Sequence, residues 1–270
     1  MARFTWRGKS ALVMGGSKGL GRFLAHELGR RGARVTIAAR DYVALDQTCE
    51  ELSRHGGEYR AVAADATTDQ GVAEMLAAAS DWNPGLDAVF SCVGKSDRGR
   101  ALDLTPEVLR RAFEVNVLPA VRLARACGEA LEASHGHFVV VGSLASKLTP
   151  RFLGTYTATK HALAGYVGAL RQEWAEQGVH VMLVCPGPIA RPDAGERYAD
   201  LSEDLPDAAG QPGAGAKVKA IDPQRLAADI LHACEKRKAE LVVPKKARLL
   251  MAITALYPAW GGRLLRGRSA

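Results

Sequence analysis

The chain has 270 residues, 47% of them apolar and 24% charged, which is the make-up of a globular protein able to bury a sizeable core. Its formal charge of +7 is uneven: residues 1–216 hold 24 Lys/Arg against 25 Asp/Glu, and residues 217–270 hold 12 against 4. The basic segment lacks interleaved aromatics and any nucleic-acid-binding motif, so no nucleic-acid partner is expected. Five scattered cysteines, an odd number with no C-x-x-C pair, exclude a disulfide framework or a zinc site and fit a reducing, cytoplasmic setting. His135 and His137 flank a glycine, have no second pair at ligand spacing, and read as turn residues; no metal is expected. The N-terminal apolar run is too short for a signal peptide, and no run reaches transmembrane length.

Short β-rich apolar runs alternate with helical patterns along the chain. Strands are predicted at 10–14, 34–39, 59–64, 87–91, 137–142, 179–185 and 239–244. None alternates strictly between apolar and polar, as is usual for strands buried on both faces. Helices are predicted near 19–31, 42–55, 68–80, 105–133, 154–177 and 222–237. Strand–helix–strand repetition with right-handed crossovers implies a parallel, doubly wound α/β sheet of seven strands in one domain, residues 1–270. Its ligand is expected at the carboxyl ends of the strands.

The first strand ends in "MGGSKGLG". Gly15, Gly19 and Gly21 are spaced G-x-x-x-G-x-G, not the literal G-x-G-x-x-G, but the physics is shared. Glycines allow a tight turn and let backbone N–H groups, here from Ser17 to Leu20, approach a pyrophosphate at a helix N-terminus. The second strand ends "TIAAR". A fold that reads a ribose 2′-OH places an acid there. This chain has Ala39 and then Arg40, with Lys18 in the turn. Two cations and no acid favour a 2′-phosphate, hence NADP(H) over NAD(H). The alternative is a solvated Arg40 and an Asp41 that caps the next helix.

Further along, Asn116 lies in "EVNVL", Ser143 follows the fifth strand in "VVVGS", and "YTATK" sets Tyr156 and Lys160 on one helical face. The separations are 27 and 13 residues. A phenol has a pKa of about 10. A nearby cation favours its anion by about 1–3 units, so the pair is suited to passing a proton to a carbonyl oxygen that gains charge. Residues 189–222, rich in Gly, Pro, Ala and acids, read as a flap over a pocket. Residues 245–270 mix leucines with cations and read as a basic amphipathic segment able to touch a membrane surface.

Taken together, the glycine turn and the ordered Asn116, Ser143, Tyr156 and Lys160 resemble the classical short-chain dehydrogenase/reductase family over about residues 8–244. The resemblance implies a Rossmann-type fold and an oxidoreductase of a ketone or secondary alcohol. It makes Tyr156 the acid, Ser143 the orienter of the substrate oxygen, and Lys160 a holder of the nicotinamide ribose. Asn116 stands where the family keeps a water relay. It assigns Asp65 and the adjacent Ala66 to the adenine, Val93 and Gly94 to the ribose, and Pro186, Gly187 and Ile189 to the nicotinamide loop. Departures are Met14 for a threonine before the glycine turn, "SCVG" for Asn-Asn-Ala-Gly at 91–94, and Arg191 for a threonine after "CPGPIA". Arg191 is expected either to meet a cofactor phosphate or to leave the flap less tightly closed. The resemblance also implies a dimer or tetramer. The substrate is expected to be a lipophilic or long-chain ketone; a sugar, polyol or keto-ester is the polar alternative. A non-catalytic dinucleotide-binding regulator is the alternative of another class.

Overall fold

The computed structural model describes residues 4–82, 85–192, 198, 205–211, 213 and 219–266. Much of the segment read as a flap, and residues 267–270 of the basic tail, lie outside the described residues. Seven parallel strands form one sheet: β1 (Ser10–Met14), β2 (Arg34–Ala39), β3 (Glu58–Ala63), β4 (Ala88–Ser91), β5 (His137–Val141), β6 (His180–Pro186) and β7 (Glu240–Val243). Their order is β3-β2-β1-β4-β5-β6-β7. Every predicted strand is present, with ends shifted by a residue or so.

The helices are α1 (Gly19–Arg30), α2 (Tyr42–Arg54), α3 (Asp69–Trp82), α4 (Pro106–Asn116), α5 (Leu118–Ser134), α6 (Gly154–Glu173), the single turn α7 (Asp207–Gly210), α8 (Pro223–Glu235), α9 (Ala247–Leu256) and α10 (Pro258–Arg266). Alternate residues of each central strand enter opposite cores. Leu12, Met14, Phe138 and Val140 pack with α3, α5 and α6 on one face. Ala11, Val13 and Val139 pack with α1, α2 and α8 on the other. Two-sided burial is why the strands read as unbroken apolar runs.

The expected helix over 105–133 is two helices. Val117 interrupts it at φ −118°, ψ −57°. The cause lies two residues on. Pro119 has no N–H to give, and its ring crowds the carbonyl four residues back. Asn116 thereby becomes the last residue of α4. A second correction concerns the histidines. His135 does cap α5 in a left-handed conformation, at φ 47°. His137 is instead the fully buried first residue of β5, and strand register sets His180 beside it. Their Nδ1 atoms are 2.8 Å apart, and His180 Nε2 meets the Lys238 carbonyl at 2.9 Å. Burial holds both rings neutral, with pKa values lowered to about 3 for His137 and about 4 for His180.

The strand order reverses direction between β1 and β4. Chains leaving these two strands turn to opposite sides and open a crevice at the carboxyl end of the sheet.

Candidate active site

A cleft of about 1220 Å³ occupies that crevice. This is ample for a dinucleotide with a small molecule beside it, since single-ligand pockets run to roughly 300–1,000 Å³. All the residues expected to hold a cofactor line it: Gly15 and Ser17 to Gly21 at the end of β1, Arg40 after β2, Asp65 and Ala66 after β3, Val93 and Gly94 after β4, Tyr156 and Lys160 on α6, and Pro186, Gly187 and Ile189 at the end of β6.

The glycine turn is a close-fitting backbone cradle. Gly15 N–H donates to the Ala38 carbonyl at 2.7 Å. Gly15 itself is at φ +85°, a region open to glycine and costly for other residues. A Cβ on Gly21 would fall 2.2 Å from the Gly15 carbonyl oxygen, so only glycine lets α1 start this close to β1. Lys18, the residue before α1, makes no side-chain cap. The amides of the first turn face the cleft as donors, supported by the helix dipole. Thr48 of α2 stands behind the turn, its hydroxyl 2.7 Å from the Ala44 carbonyl of its own helix and 3.2 Å from the Ser17 carbonyl.

At the adenosine end, the Asp65 carboxylate accepts from the Thr67 N–H at 2.9 Å and from its hydroxyl at 2.8 Å. Those two bonds, with a smaller contribution from Arg40, hold its pKa below the usual carboxylate range. Asp41 caps α2 by accepting from the Ala44 N–H at 3.1 Å. It is therefore committed to the helix, and Arg40 stands at the strand end. Asp69 begins α3.

At the other end, Ser143, Tyr156 and Lys160 come together. Ser143 follows β5 and caps a short turn, its hydroxyl accepting from the Ala145 N–H at 3.1 Å. Tyr156 and Lys160 lie one turn apart on α6, with Lys160 Nζ 5.7 Å from the centre of the phenol ring. Lys160 is 2% exposed, and its ammonium donates to the Val141 carbonyl at 3.1 Å. Burial lowers its pKa to about 8, against smaller opposing effects of Cys185 and Cys92. Gly94 makes room for it: a Cβ there would stand 3.1 Å from Lys160 Nζ.

Asn116 stands apart from the other three. It does not line the cleft, and its side chain is consumed in structure. Oδ1 accepts from the Lys95 N–H at 2.7 Å, while Nδ2 donates to the Lys95 carbonyl at 3.0 Å and to Thr159 Oγ1 at 3.1 Å. Asn116 thus ties the loop after β4 to α6, one residue from Lys160.

The departures from the family pattern also find places. Met14 is a buried core residue, and Cys92 lines the cleft with its thiol pushed up to about 12 by burial. Arg191 reaches the glycine turn, with one guanidinium nitrogen 3.9 Å from where a Gly19 Cβ would be.

Sequence reasoning missed Arg98. It follows β4, is buried, and lines the cleft. Its Nε donates to the Ala209 carbonyl at 2.7 Å, Nη1 donates to Ser96 Oγ at 2.7 Å, and the guanidinium lies 3.7 Å from the Tyr198 ring centre. A lone arginine in a loop carries no pattern that announces such a position. The C-terminal segment supplies Lys246, Ala247, Leu250 and Leu265 to the lining of the cleft.

A protein-family model described as short chain dehydrogenase matches residues 9–201. The ketoacyl reductase HetN of Nostoc sp. is 26% identical over 97% of this chain and 90% of its own. The solved L-sorbose reductase of Gluconobacter frateurii, complexed with NADPH and L-sorbose, superposes with a TM-score of 0.79 over 90% of this chain and 97% of its own, at 23% identity. A short-chain dehydrogenase/reductase of Burkholderia phymatum in complex with NAD gives a TM-score of 0.82 over 93% and 94%, at 20% identity. Those two likenesses establish the shared fold.

Proposed function

The chain belongs to the short chain dehydrogenase family, and from that premise we propose that it is an NADP(H)-dependent reductase of a lipophilic ketone. The observation that carries the reading is the convergence of Ser143, Tyr156 and Lys160 at one end of a cleft whose other end is the glycine cradle. The residues present fit a dinucleotide. The cradle leaves backbone where side chains would intrude, and a Cβ on Gly94 would crowd the Lys160 ammonium.

Bound there, reduced nicotinamide supplies a hydride to the carbonyl carbon. Ser143 orients the carbonyl oxygen through its hydroxyl. Tyr156 gives that oxygen a proton from Oη, and the Lys160 ammonium one turn away favours the phenolate left behind. The Lys160 ammonium, which here donates to the Val141 carbonyl, would also hold the ribose. Asn116 keeps the lysine in place through Lys95 and Thr159. Of the two solved structures that share the fold, one holds NADPH and one NAD, so the fold accepts either. Preference here rests on Arg40 and Lys18, two cations where a 2′-phosphate would lie, with Asp41 committed to capping α2.

The lipophilic substrate is supported by Leu148, Leu153, Leu250 and Leu265, four leucines in the lining of the cleft. A homo-oligomeric state is part of the same reading. Fluorescence titration with NADPH, followed by NADPH oxidation across ketones graded in chain length, tests it. Turnover rising with chain length is expected. Absence of NADPH binding, or full turnover in Tyr156→Phe, defeats it.

A further inference from the structure

The hairpin of α9 and α10 follows β7 and carries two unlike faces. Residues 245–266 contain five cations, Lys245, Lys246, Arg248, Arg263 and Arg266, and no acid. The same stretch leaves large apolar side chains open to water: Leu249 at 69%, Leu256 at 73%, Tyr257 at 65% and Trp260 at 67% exposed. Isolated exposed leucines are ordinary, but such residues gathered on one hairpin with a tryptophan and a tyrosine call for an explanation. The inner side is spoken for. Lys246, Ala247, Leu250 and Leu265 line the cleft. The two helices cross closely at Gly261, where a Cβ would lie 2.6 Å from Thr254 Cα.

We propose that the outer face of the α9–α10 hairpin docks the protein on an anionic lipid surface, with the cleft opening beside that surface. The route this offers a lipophilic ketone rests on the function proposed above; the docking itself stands on the hairpin. Tryptophan and tyrosine settle at the headgroup boundary, with an apolar body and a polar tip. Cations near an anionic leaflet add about 1 kcal/mol each. Residues 1–216 are nearly neutral, so the attraction is local and orients the molecule. A second copy of the chain is the competing occupant. In a two-fold interface this patch would face itself and bring Lys245, Arg248, Arg263 and Arg266 of both copies together without an acid from the hairpin, which like-charge repulsion opposes. Among the described residues no helix is long and apolar enough to cross a membrane, so contact would be at the surface.

The test is flotation of the full chain with phosphatidylserine–phosphatidylcholine vesicles and with phosphatidylcholine alone, at low and high salt. Co-flotation with the anionic vesicles, reversed by salt, is expected. Arg263→Gln with Arg266→Gln should weaken binding about 30-fold. Leu256→Ser with Trp260→Ser should weaken it about 10-fold or more. Wild-type protein left wholly in the soluble fraction overturns the proposal, as does equal binding to neutral vesicles. So does a Leu256→Ser/Trp260→Ser variant that sediments as a smaller species while floating unchanged, which would make the face a subunit contact. NADPH quenching is measured alongside and should be unchanged in these variants. Its absence in the wild type would defeat the oxidoreductase reading and leave the lipid result standing.

Discussion

Asn116 grips the backbone of Lys95 at both ends, accepting from its N–H at 2.7 Å and donating to its carbonyl at 3.0 Å. The same amide group donates to Thr159, the neighbour of Lys160. Asn116→Ala would remove the two part-buried bonds to Lys95 and the buried one to Thr159, at about 0.5–1.5 kcal/mol each. Unfolding in urea should show a loss of that order. NADPH affinity should weaken as well, because the loop carrying Gly94 is no longer held.

The Lys160 ammonium gives a pH dependence whose sign can be worked out. Its pKa is about 8 in the folded chain, below the ordinary lysine value of 10.5. The unfolded chain therefore binds more protons between these values. Stability from this group is lowest below pH 8 and rises toward pH 10.5. The unfolding free energy of the wild type minus that of Lys160→Met should climb over this window. A flat difference would mean that burial does not depress the lysine.

Arg40 stands at the end of β2 with no acid in the cofactor position, since Asp41 is tied to Ala44. Arg40→Asp should weaken NADPH about 10–100-fold, the size of one charge-assisted hydrogen bond, while NADH is held equally well or better. Parallel fluorescence titrations with the two nucleotides measure the ratio. An unchanged ratio would return Arg40 to the solvated role.

Arg98 donates to the Ala209 carbonyl at 2.7 Å and, more distantly, to Gln211 at 3.5 Å. It is the cation that fastens residues 205–211 against the loop after β4. Arg98→Met should speed amide hydrogen exchange in 205–211 by about 10-fold or more while leaving β5 and β6 protected, consistent with loss of at least one buried bond to a charged donor. KM for a ketone substrate should rise more than kcat falls. Arg98→Lys keeps the charge and should restore part of the protection.

The strands were legible because residues buried on both faces leave continuous apolar runs such as "SALVM" and "HFVVV". The glycine turn and the order of Asn116, Ser143, Tyr156 and Lys160 were legible because the spacing itself carries the signal. Proline read locally would have divided the helix at 105–133; the apolar pattern on either side of Pro119 hid the break. Arg98 was hidden for another reason. Its partners, Ala209 and Gln211, lie more than a hundred residues away.

Sequence alone determined the alternation of elements, the family, and the residue types that meet at the cleft, since these follow from local patterning and spacing. Tertiary structure decided what each side chain touches. Parallel register set His180 against His137. The packing of α4 against α6 and the loop after β4 made Asn116 a clamp on Lys95. The fold of residues 247–266 onto the cleft gave the basic segment an inner wall and an outer face. Contacts between distant parts of the chain depend on how layers pack, and no window of sequence contains both partners.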